Sequence, residues 1–357
     1  MSQASHSLRL FMSLASSRSE SFGVLFLDIK SAYYRVIRQL LTSRGNDMDS
    51  IERVMQYFEL GASDPNALMD VIAERAEELQ GRMERKQELL LEEMMSSTWF
   101  TSSKRDELLE SLAGSRPGDG LADITFGLIF QKITRVVMSN LKEALGVEDT
   151  PRHQAFDAMT GPPEECEPPR LLEVVWADDL AIAYRSADAS RIENDMQVIV
   201  GEIFRECFKH GMVPNLKKGK TEILIVPQGP GSKRVRMDLF GTGEPSITVE
   251  DVPEDFQRVR IISQYRHLGT RVHVGTKLMA EIKASMGQAW TAYRKMRRQI
   301  FQNRLLGLSK RITLFRSLIM PTFEYDLGTW GPLQQGEFKY FSKRLYSFYK
   351  LMSMNQN

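Results

Sequence analysis

The chain has 357 residues, of which 42% are hydrophobic and 26% are charged, and its formal net charge is +1. This composition is typical of a globular protein with a sizeable core, and no apolar stretch approaches the roughly 18 residues needed to cross a bilayer. The two cysteines, Cys166 and Cys207, fit neither a disulfide framework nor a zinc site, which indicates a reducing compartment and argues against secretion.

The small net charge hides a segregation of charge along the chain. Between Arg266 and Lys350 there are 16 Lys and Arg against 4 Asp and Glu, a net charge of +12, and the remainder carries −11. A basic segment beside an acidic body suggests a polyanionic partner, although a solvated helix surface rich in Lys and Arg would look the same.

The first half of the chain predicts helices around one apolar strand. A short N-terminal helix precedes a strand at 22–28, and a second helix is predicted over 30–45, ended by Gly45. Residues 47–113 are acidic and strongly helix-forming, which indicates a solvated helical insertion. A glycine-rich turn after this insertion leads into a long apolar helix.

The second half predicts a hairpin, further strands and closing helices. Residues 151–169 are rich in Pro and Glu and predict a loop, and EVVWADDLAIAY (173–184) predicts a hairpin of two apolar strands. The next helix is expected to be capped by Ser190 and ended by Gly211. The remaining expectations are a strand at 221–227, a strand-and-turn excursion at 229–253, a hairpin at 258–272 and two closing helices, the first at 278–301.

Carboxylates mark the ends of two of these strands. Asp28 ends the first strand, and Asp178 and Asp179 lie between the strands of the hairpin. One such residue often marks only the exit of a strand to solvent, and Asp is common in turns. Adjacent strand residues point to opposite faces, so at most one of the pair shares a site cleanly with Asp28. Clustered carboxylates need a cation, and two Mg²⁺ or Mn²⁺ ions on oxygen ligands suit in-line phosphoryl transfer.

Six sequence blocks resemble the reverse transcriptase domain of non-LTR (LINE-type) retrotransposons. LFLDIKSAYYRV (25–36) resembles the first palm motif, and VVWADDLAIAY (174–184) resembles the central Asp-Asp hairpin. The other blocks follow in the family's order: GSRPGDGLADITFGLIF (114–130), GMVPNLKKGKTEIL (211–224), YRHLGTRV (265–272) and LSKRITLFRSLIMPTFEYDLGTWGP (308–332). The resemblance covers roughly residues 20–332.

This resemblance implies an α+β fold in which a polymerase palm is followed by a helical thumb. The palm would be an antiparallel sheet with helices on one face. The implied domains are an N-terminal helix and fingers remnant (1–20), a palm (21–225) with the acidic insertion at about 47–113, a strand excursion with a primer-grip hairpin (226–275) and a basic thumb (276–357).

The resemblance also assigns catalytic roles. Asp28 and Asp178 would hold two Mg²⁺ or Mn²⁺ ions, and Asp179 would support them or act as an occasional metal ligand. Lys220 would protonate the pyrophosphate leaving group or neutralise its charge, with Lys217 as a competitor for that role.

Further residues would bind the substrates. The ring of Tyr33 would lie beneath the incoming sugar and exclude a 2′-hydroxyl, unless it is only a core aromatic residue. Arg116 would contact phosphate or base, unless it forms a surface salt bridge. Gly114, Gly118 and Gly120 would allow the backbone to approach the template and the nascent base pair closely. The implied substrate-binding residues are Ile29, Tyr33, Arg116, Gly118, Asp119, Trp176, Tyr265, Leu268 and Gly269.

The implied function is that of an RNA-directed DNA polymerase, which adds deoxynucleotides to a primer 3′ end. Its partners would be an RNA template, a DNA primer or RNA–DNA duplex and dNTPs, with no membrane, in the nucleus or cytoplasm. The alternative is a degenerate or domesticated relative that binds RNA or duplex nucleic acid without polymerising. A purely structural α+β domain would leave the ordered motifs unexplained.

The sequence departs from the family pattern in three ways. Only about 20 residues precede the first motif, so most of the fingers are expected to be lacking. Tyr34 stands where many relatives have Asp, Trp176 where they have Tyr or Phe, and Gly120 where many have Pro. No endonuclease or RNase H segment is recognisable.

Overall fold

The computed structural model describes residues 2–41, 47–57, 66, 68–73, 84–96, 98–102, 105–111, 114–115, 122–148, 169–241, 243–275, 278–325, 327–330 and 333–353. The chain divides into two compact units, which we name the sheet unit (residues 15–262) and the helical unit (residues 1–14 together with 263–357). These limits differ from the domain boundaries predicted from the sequence. Residues 226–262 belong to the sheet unit because Ile261 bridges Ile223, whereas the hairpin that follows belongs to the helical unit.

The elements have the following bounds. The helices are α1 (Ser2–Ser17), α2 (Met48–Tyr57), α3 (Arg85–Met95), α4 (Ala122–Leu145), α5 (Ile192–Lys209), α6 (Ser232–Phe240), α7 (Met279–Met296), α8 (Leu308–Leu318), α9 (Met320–Glu324) and α10 (Gln335–Ser353). The strands are β1 (Ser21–Leu27), β2 (Trp99–Ser102), β3 (Arg105–Glu110), β4 (Leu171–Trp176), β5 (Asp179–Ser186), β6 (Glu222–Val226), β7 (Ser246–Thr248), β8 (Arg258–Arg260), β9 (Gln264–His267) and β10 (Thr270–His273).

A four-stranded antiparallel sheet organises the sheet unit, in the order β4-β5-β1-β6. All seven residues of β1 are buried, which explains why its sequence is a continuous apolar run rather than an alternating one. Gly23 lies in the middle of β1, where a Cβ atom would come within 2.4 Å of the Met196 sulfur on α5. The glycine therefore lets α5 approach the strand closely.

Helices α4 and α5 pack together beside this sheet and share its core. Phe126, Phe130 and Ile133 recur at helical spacing on α4 and are fully buried. On α5, Met196 and Ile203 are likewise buried in the same core. The sheet unit thus combines an antiparallel sheet with packed helices, as expected for an α+β fold.

The helix predicted over 30–45 was wrong in the part of it that the structure describes. Two short 3₁₀ turns, Ala32–Arg35 and Arg38–Leu40, replace it, and Val36 between them is extended, with ψ 113°. The β-branched Val36 and Ile37 are poor helix formers. The guanidinium of Arg38 also donates hydrogen bonds to the carbonyl oxygens of Met95 and Ser111, far along the chain, at 2.8 and 2.7 Å.

Three other expectations need correction. The excursion at 229–253 contains a helix, α6, before its short strand β7. The acidic insertion is not wholly helical, because β2 and β3 form a hairpin, and it is not merely solvated, because Ile51 and Val54 are buried in the core. The cap before α5 is Asp188, whose side chain accepts a hydrogen bond from the Ser190 backbone N–H at 2.9 Å.

An aromatic core holds the helical unit together. Tyr293 stacks on Phe301 at 4.8 Å, and Phe315 lies 5.3 Å from Phe348, so α7, α8 and α10 contribute rings to one cluster. The chain ends in the helices α7 to α10 rather than in two helices, and α7 stops at Met296, where a π turn begins. None of the helices in the described ranges is both long and apolar enough to span a membrane.

Candidate active site

Asp28 lies at the end of the buried strand β1, and hydrogen bonds fix its backbone. Its N–H donates to the Thr221 hydroxyl at 3.1 Å, and that hydroxyl donates to the Asp28 carbonyl at 3.0 Å. The Asn215 N–H donates to the same carbonyl at 2.8 Å. The segment before β6 therefore holds Asp28 in a defined orientation at the end of strand β1.

Two polar side chains from this segment reach the Asp28 carboxylate. Lys220 Nζ lies 2.8 Å from Oδ1, and the Asn215 amide donates to Oδ2 at 2.9 Å. The Lys220 side chain is about half exposed, with a relative accessibility of 48%. Lys217, the competing candidate, donates its backbone N–H to Asn215 Oδ1 at 3.3 Å. Lys220 is thus the lysine that the structure brings to the carboxylate.

Asp178 and Asp179 follow from the register of the central hairpin. Trp176 pairs with Asp179, so Ala177 and Asp178 form a two-residue turn, in which Ala177 has a left-handed φ of 55°. On the other side, the β1–β5 ladder ends with Leu27 opposite Leu180. The next residues outward are Asp28 and Asp179, so the carboxylates of neighbouring strands converge at one end of the sheet.

The charges of the neighbouring carboxylates affect the pKa of Asp179. Partial burial, followed by repulsion from Asp178 and from Asp28, raises the pKa of Asp179 to about 6, while Lys220 acts to lower it. The hydrogen bond to Asp28 raises the pKa of Lys220, so its ammonium stays protonated at neutral pH. The site therefore carries more negative charge than one lysine neutralises.

Tyr33 lies close to the carboxylates. Its ring packs against Phe126 at 5.0 Å between centroids. Burial, a hydrogen bond to Asp123 and the charges of Asp123 and Asp178 raise the pKa of the Tyr33 hydroxyl to about 12. Asp123 was not anticipated from the sequence. Its position in the first turn of the helix that follows the glycine-rich motif is the only signal that could have suggested it.

The donor chemistry of this end of the sheet suits a hard divalent cation. Carboxylate oxygens are the ligands that Mg²⁺ and Mn²⁺ prefer, and burial together with repulsion from Asp178 and Asp28 raises the pKa of Asp179. The described residues nevertheless contain no ready-made group of three or more His, Cys, Asp or Glu side chains arranged to hold a metal ion. Lys220 and Asn215 instead contact the two oxygens of Asp28.

Some of the other predicted residues of the sheet unit lie among the described residues, and some do not. Ile29 forms an isolated bridge with Pro214, and the side chain of Trp176 is 47% exposed at the hairpin tip. Gly114 has φ 80°, and a Cβ there would lie 2.7 Å from the Tyr34 carbonyl oxygen, so this glycine allows close approach within the sheet unit. The predicted residues Arg116, Gly118, Asp119 and Gly120 lie outside the described residues.

The predicted primer-grip residues lie in the helical unit. Leu268 and Gly269 form the two-residue turn between β9 and β10, with φ values of 50° and 88°. Such a turn matches the twist of the strands but strains a residue other than glycine, so Leu268 is held in an uncommon conformation. Tyr265 lies on β9 opposite Val272.

Comparison with solved structures yields a weak likeness to a telomerase. No protein-family model and no curated protein matches the sequence. A solved structure of telomerase from Candida albicans, in complex with a TWJ fragment of telomeric RNA, aligns with 99% of this chain at 14% identity and a TM-score of 0.32. The alignment covers 47% of the telomerase chain, so this chain spans about half of its length. A likeness of this degree establishes neither the fold nor the activity of this chain.

Proposed function

We propose that this protein is an RNA-directed DNA polymerase of the retrotransposon reverse transcriptase type. The observation that carries the proposal is the convergence of Asp28, Asp178 and Asp179 at one end of an antiparallel sheet, with Lys220 in contact with Asp28. The motifs quoted above supply the family, and the sheet with its packed helices supports the assignment of a palm. The helical unit would then include the thumb.

The carboxylates would provide the catalytic centre. Asp28, Asp178 and Asp179 would hold two Mg²⁺ or Mn²⁺ ions, which in this chemistry lower the pKa of the attacking hydroxyl and neutralise the triphosphate. The hydrogen bonds from Thr221 and Asn215 support this role, because they fix Asp28 before a substrate arrives.

Lys220 would act at the leaving group. Its raised pKa keeps the ammonium charged, and a charged ammonium can neutralise pyrophosphate or give it a proton. The ion pair between Lys220 and Asp28 at 2.8 Å supports this role.

Tyr33 would discriminate between sugars. Its ring is packed against Phe126, and its hydroxyl is hydrogen-bonded to Asp123, so the side chain is restrained from both ends. A restrained ring beneath the incoming sugar would clash with a 2′-hydroxyl and so favour deoxynucleotides. The partners would be an RNA template, a DNA primer and dNTPs, inside the cell.

Primer extension tests the proposal directly. The full chain should extend a DNA primer on an RNA template in Mg²⁺ or Mn²⁺, and Asp178→Ala should abolish the product. Asp238→Ala is a matched control, because Asp238 lies on α6 and its side chain is 62% exposed. Equal product from the wild type and Asp178→Ala, or no product from the wild type under any of these conditions, would contradict the proposal.

One observation favours a second candidate. The described residues present no ready-made metal ligand group, and Lys220 occupies one oxygen of Asp28. This arrangement suits a reverse-transcriptase-like protein that binds RNA or duplex nucleic acid without polymerising. Retained binding of an RNA–DNA duplex without primer extension would distinguish it.

A further inference from the structure

The helical unit contains a cleft of about 200 Å³ between α7 and α10. Trp290, Tyr340 and Phe348 contribute its aromatic lining, Lys283 and Arg344 its positive charge, and none of the residues that line it is acidic. This volume is below the roughly 300–1,000 Å³ of sites for drug-sized ligands. It suits a small group, such as a single ring system.

Two buried aromatic rings pack against Trp290, which lines the cleft. Trp290 stacks on Tyr293 at 5.5 Å, with 10° between the ring planes, and lies 4.8 Å from Phe348. Both partners belong to the buried core of the unit and are at most 1% exposed. A tryptophan supported in this way is a rigid surface on which a planar ligand can stack with little loss of conformational entropy.

The charged residues alternate with the rings along both helices. Lys283 lies about two turns before Trp290 on α7, and the Arg294 guanidinium lies 5.8 Å from the Trp290 ring. On α10, the Arg344 guanidinium lies 5.2 Å from the Tyr340 ring. Interleaved aromatic and basic residues are the combination by which proteins bind unpaired nucleotides.

Gly287 is one of the residues that line this cleft. A glycine inside a helix is destabilising relative to alanine. Gly287 does not have a left-handed φ, and a Cβ built on it would meet nothing within 4 Å. Neither the backbone nor the packing of the unit therefore requires glycine at this position. A larger side chain would instead project into the cleft that Gly287 lines.

We propose that the cleft binds one unpaired nucleotide, with its base against Trp290 and its phosphate held by Lys283 and Arg344. The ligand class is a planar base that carries a phosphate, either as a free nucleotide or as one unit of a single strand. A base within a duplex is stacked on both of its faces and cannot offer one to the tryptophan. The site uses no carboxylate of the sheet unit, so it does not depend on polymerase activity.

The first test fills the cleft without removing the tryptophan. Binding of a labelled single-stranded oligonucleotide to the full chain is measured by fluorescence anisotropy. Gly287→Leu should weaken this binding about tenfold, because the loss of one base–aromatic stack costs roughly 1–3 kcal/mol. Gly336→Leu on α10 is the matched control, since Gly336 also has nothing within 4 Å and does not line the cleft. It should change the affinity less than twofold.

The second test removes one charge from the cleft. A plot of log affinity against log salt concentration has a negative slope. Arg344→Gln should make this slope shallower by about 0.7, the value for one phosphate contact on a single strand. Arg234→Gln is the control, because its side chain lies in the sheet unit and is 90% exposed. It should leave the slope unchanged.

Competition separates the two sources of the ligand and defines the failure of the proposal. If a free mononucleotide competes with the labelled strand, and no longer does so in Gly287→Leu, the ligand is a free nucleotide. If only single strands compete, the ligand is one nucleotide within a single strand. Either result supports the site. An unchanged single-strand affinity in Gly287→Leu, or an equal loss for a duplex of the same sequence, would overturn it. Absence of primer extension would affect only the polymerase proposal.

Discussion

Asp179 lies at the point of the site where partial burial and repulsion from two neighbouring carboxylates act together. Their combined effect raises its pKa from 3.8 to about 6. Strand alternation predicted that at most one of the pair shares the site with Asp28, and the family resemblance ranked Asp178 above Asp179. The register adds a consideration that favours Asp179, since this residue rather than Asp178 continues the ladder opposite Asp28. The relative importance of the two residues stays a prediction.

The raised pKa of Asp179 predicts a pH-dependent stability. The folded state binds a proton more tightly than the unfolded state, so the stabilising contribution is complete below about pH 3.8 and is lost as the pH rises through about 6. Asp179→Asn cannot ionise, so it should gain stability relative to the wild type at pH 7 to 8 but not at pH 4. Urea unfolding of both proteins in a chelating buffer, at several pH values, measures this difference.

An exposed carboxylate provides the control for this prediction. Asp238→Asn should show a stability difference from the wild type that varies little with pH, because the Asp238 side chain is 62% exposed. A difference between Asp179→Asn and the wild type that is constant from pH 4 to pH 8 would contradict the proposed electrostatics.

The hydroxyl of Tyr33 provides a second prediction at the scale of one residue. A hydrogen bond from this hydroxyl to Asp123, and the charge of Asp123, contribute to its pKa of about 12. Asp123→Asn removes that charge, so the pKa of Tyr33 should fall toward the ordinary value of 10. NMR titration of tyrosine labelled with ¹³C, with Tyr33→Phe to assign the signal, measures the change. A pKa that stays near 12 would show that burial and the charge of Asp178 are responsible, without Asp123.

At the scale of elements, Arg38 connects segments that are distant in sequence. Its guanidinium donates to the Gly114 carbonyl at 3.0 Å, to the Thr98 hydroxyl at 2.6 Å and to the carbonyls of Met95 and Ser111. Burial lowers the pKa of Arg38, which indicates the cost of taking this charge out of water. The hydrogen bonds offset that cost and hold the end of α3 and the β2–β3 hairpin against the turn after β1.

Loss of this guanidinium should destabilise the sheet unit. Arg38→Lys keeps the charge but cannot reproduce the planar set of donors, so buried acceptors would be left unpaired at about 1–3 kcal/mol each. We expect the free energy of unfolding to fall by about 2 kcal/mol or more, measured by urea denaturation. Arg53→Lys, at an exposed position of α2 where the guanidinium contacts the Asp49 carbonyl, should change it by less than about 0.5 kcal/mol. Equal effects would contradict the role of Arg38.

The same contacts explain which elements the sequence could predict. The runs that became β1, β5 and β6 are apolar because these strands are buried along most of their length, so their sequences alone reveal them. The turn after β1 depends on partners of Arg38 that lie 57 to 76 residues away, and no local pattern encodes them. The carboxylates at the strand ends could also be predicted, because they lie next to these apolar runs in the sequence. The contact between Asp123 and Tyr33 could not be predicted, because it joins two motifs that are distant in sequence.

At the scale of the whole molecule, each of the two units has a hydrophobic core among the residues that the structure describes. One, around Phe126 and Ile182, belongs to the sheet unit, and the other, around Tyr293 and Phe348, belongs to the helical unit. Charge is divided in a similar way, because the segment with net charge +12 lies within the helical unit. Each unit thus has a core of its own, and the basic segment belongs to the helical unit.

Two separate cores predict two cooperative openings rather than one. Native-state hydrogen exchange in increasing urea should give one opening free energy for the amides of β1 and β5 and a different one for those of α7 and α10. A core substitution provides the matched test, because Phe348→Leu should lower the opening free energy of the helical unit by about 1 kcal/mol or more and leave that of β1 unchanged. Ile182→Val should lower the opening free energy of β1 by about 1 kcal/mol and leave that of the helical unit unchanged. A single opening free energy that both substitutions lower equally would show that the chain unfolds as one unit, and the two cores would then not be independent.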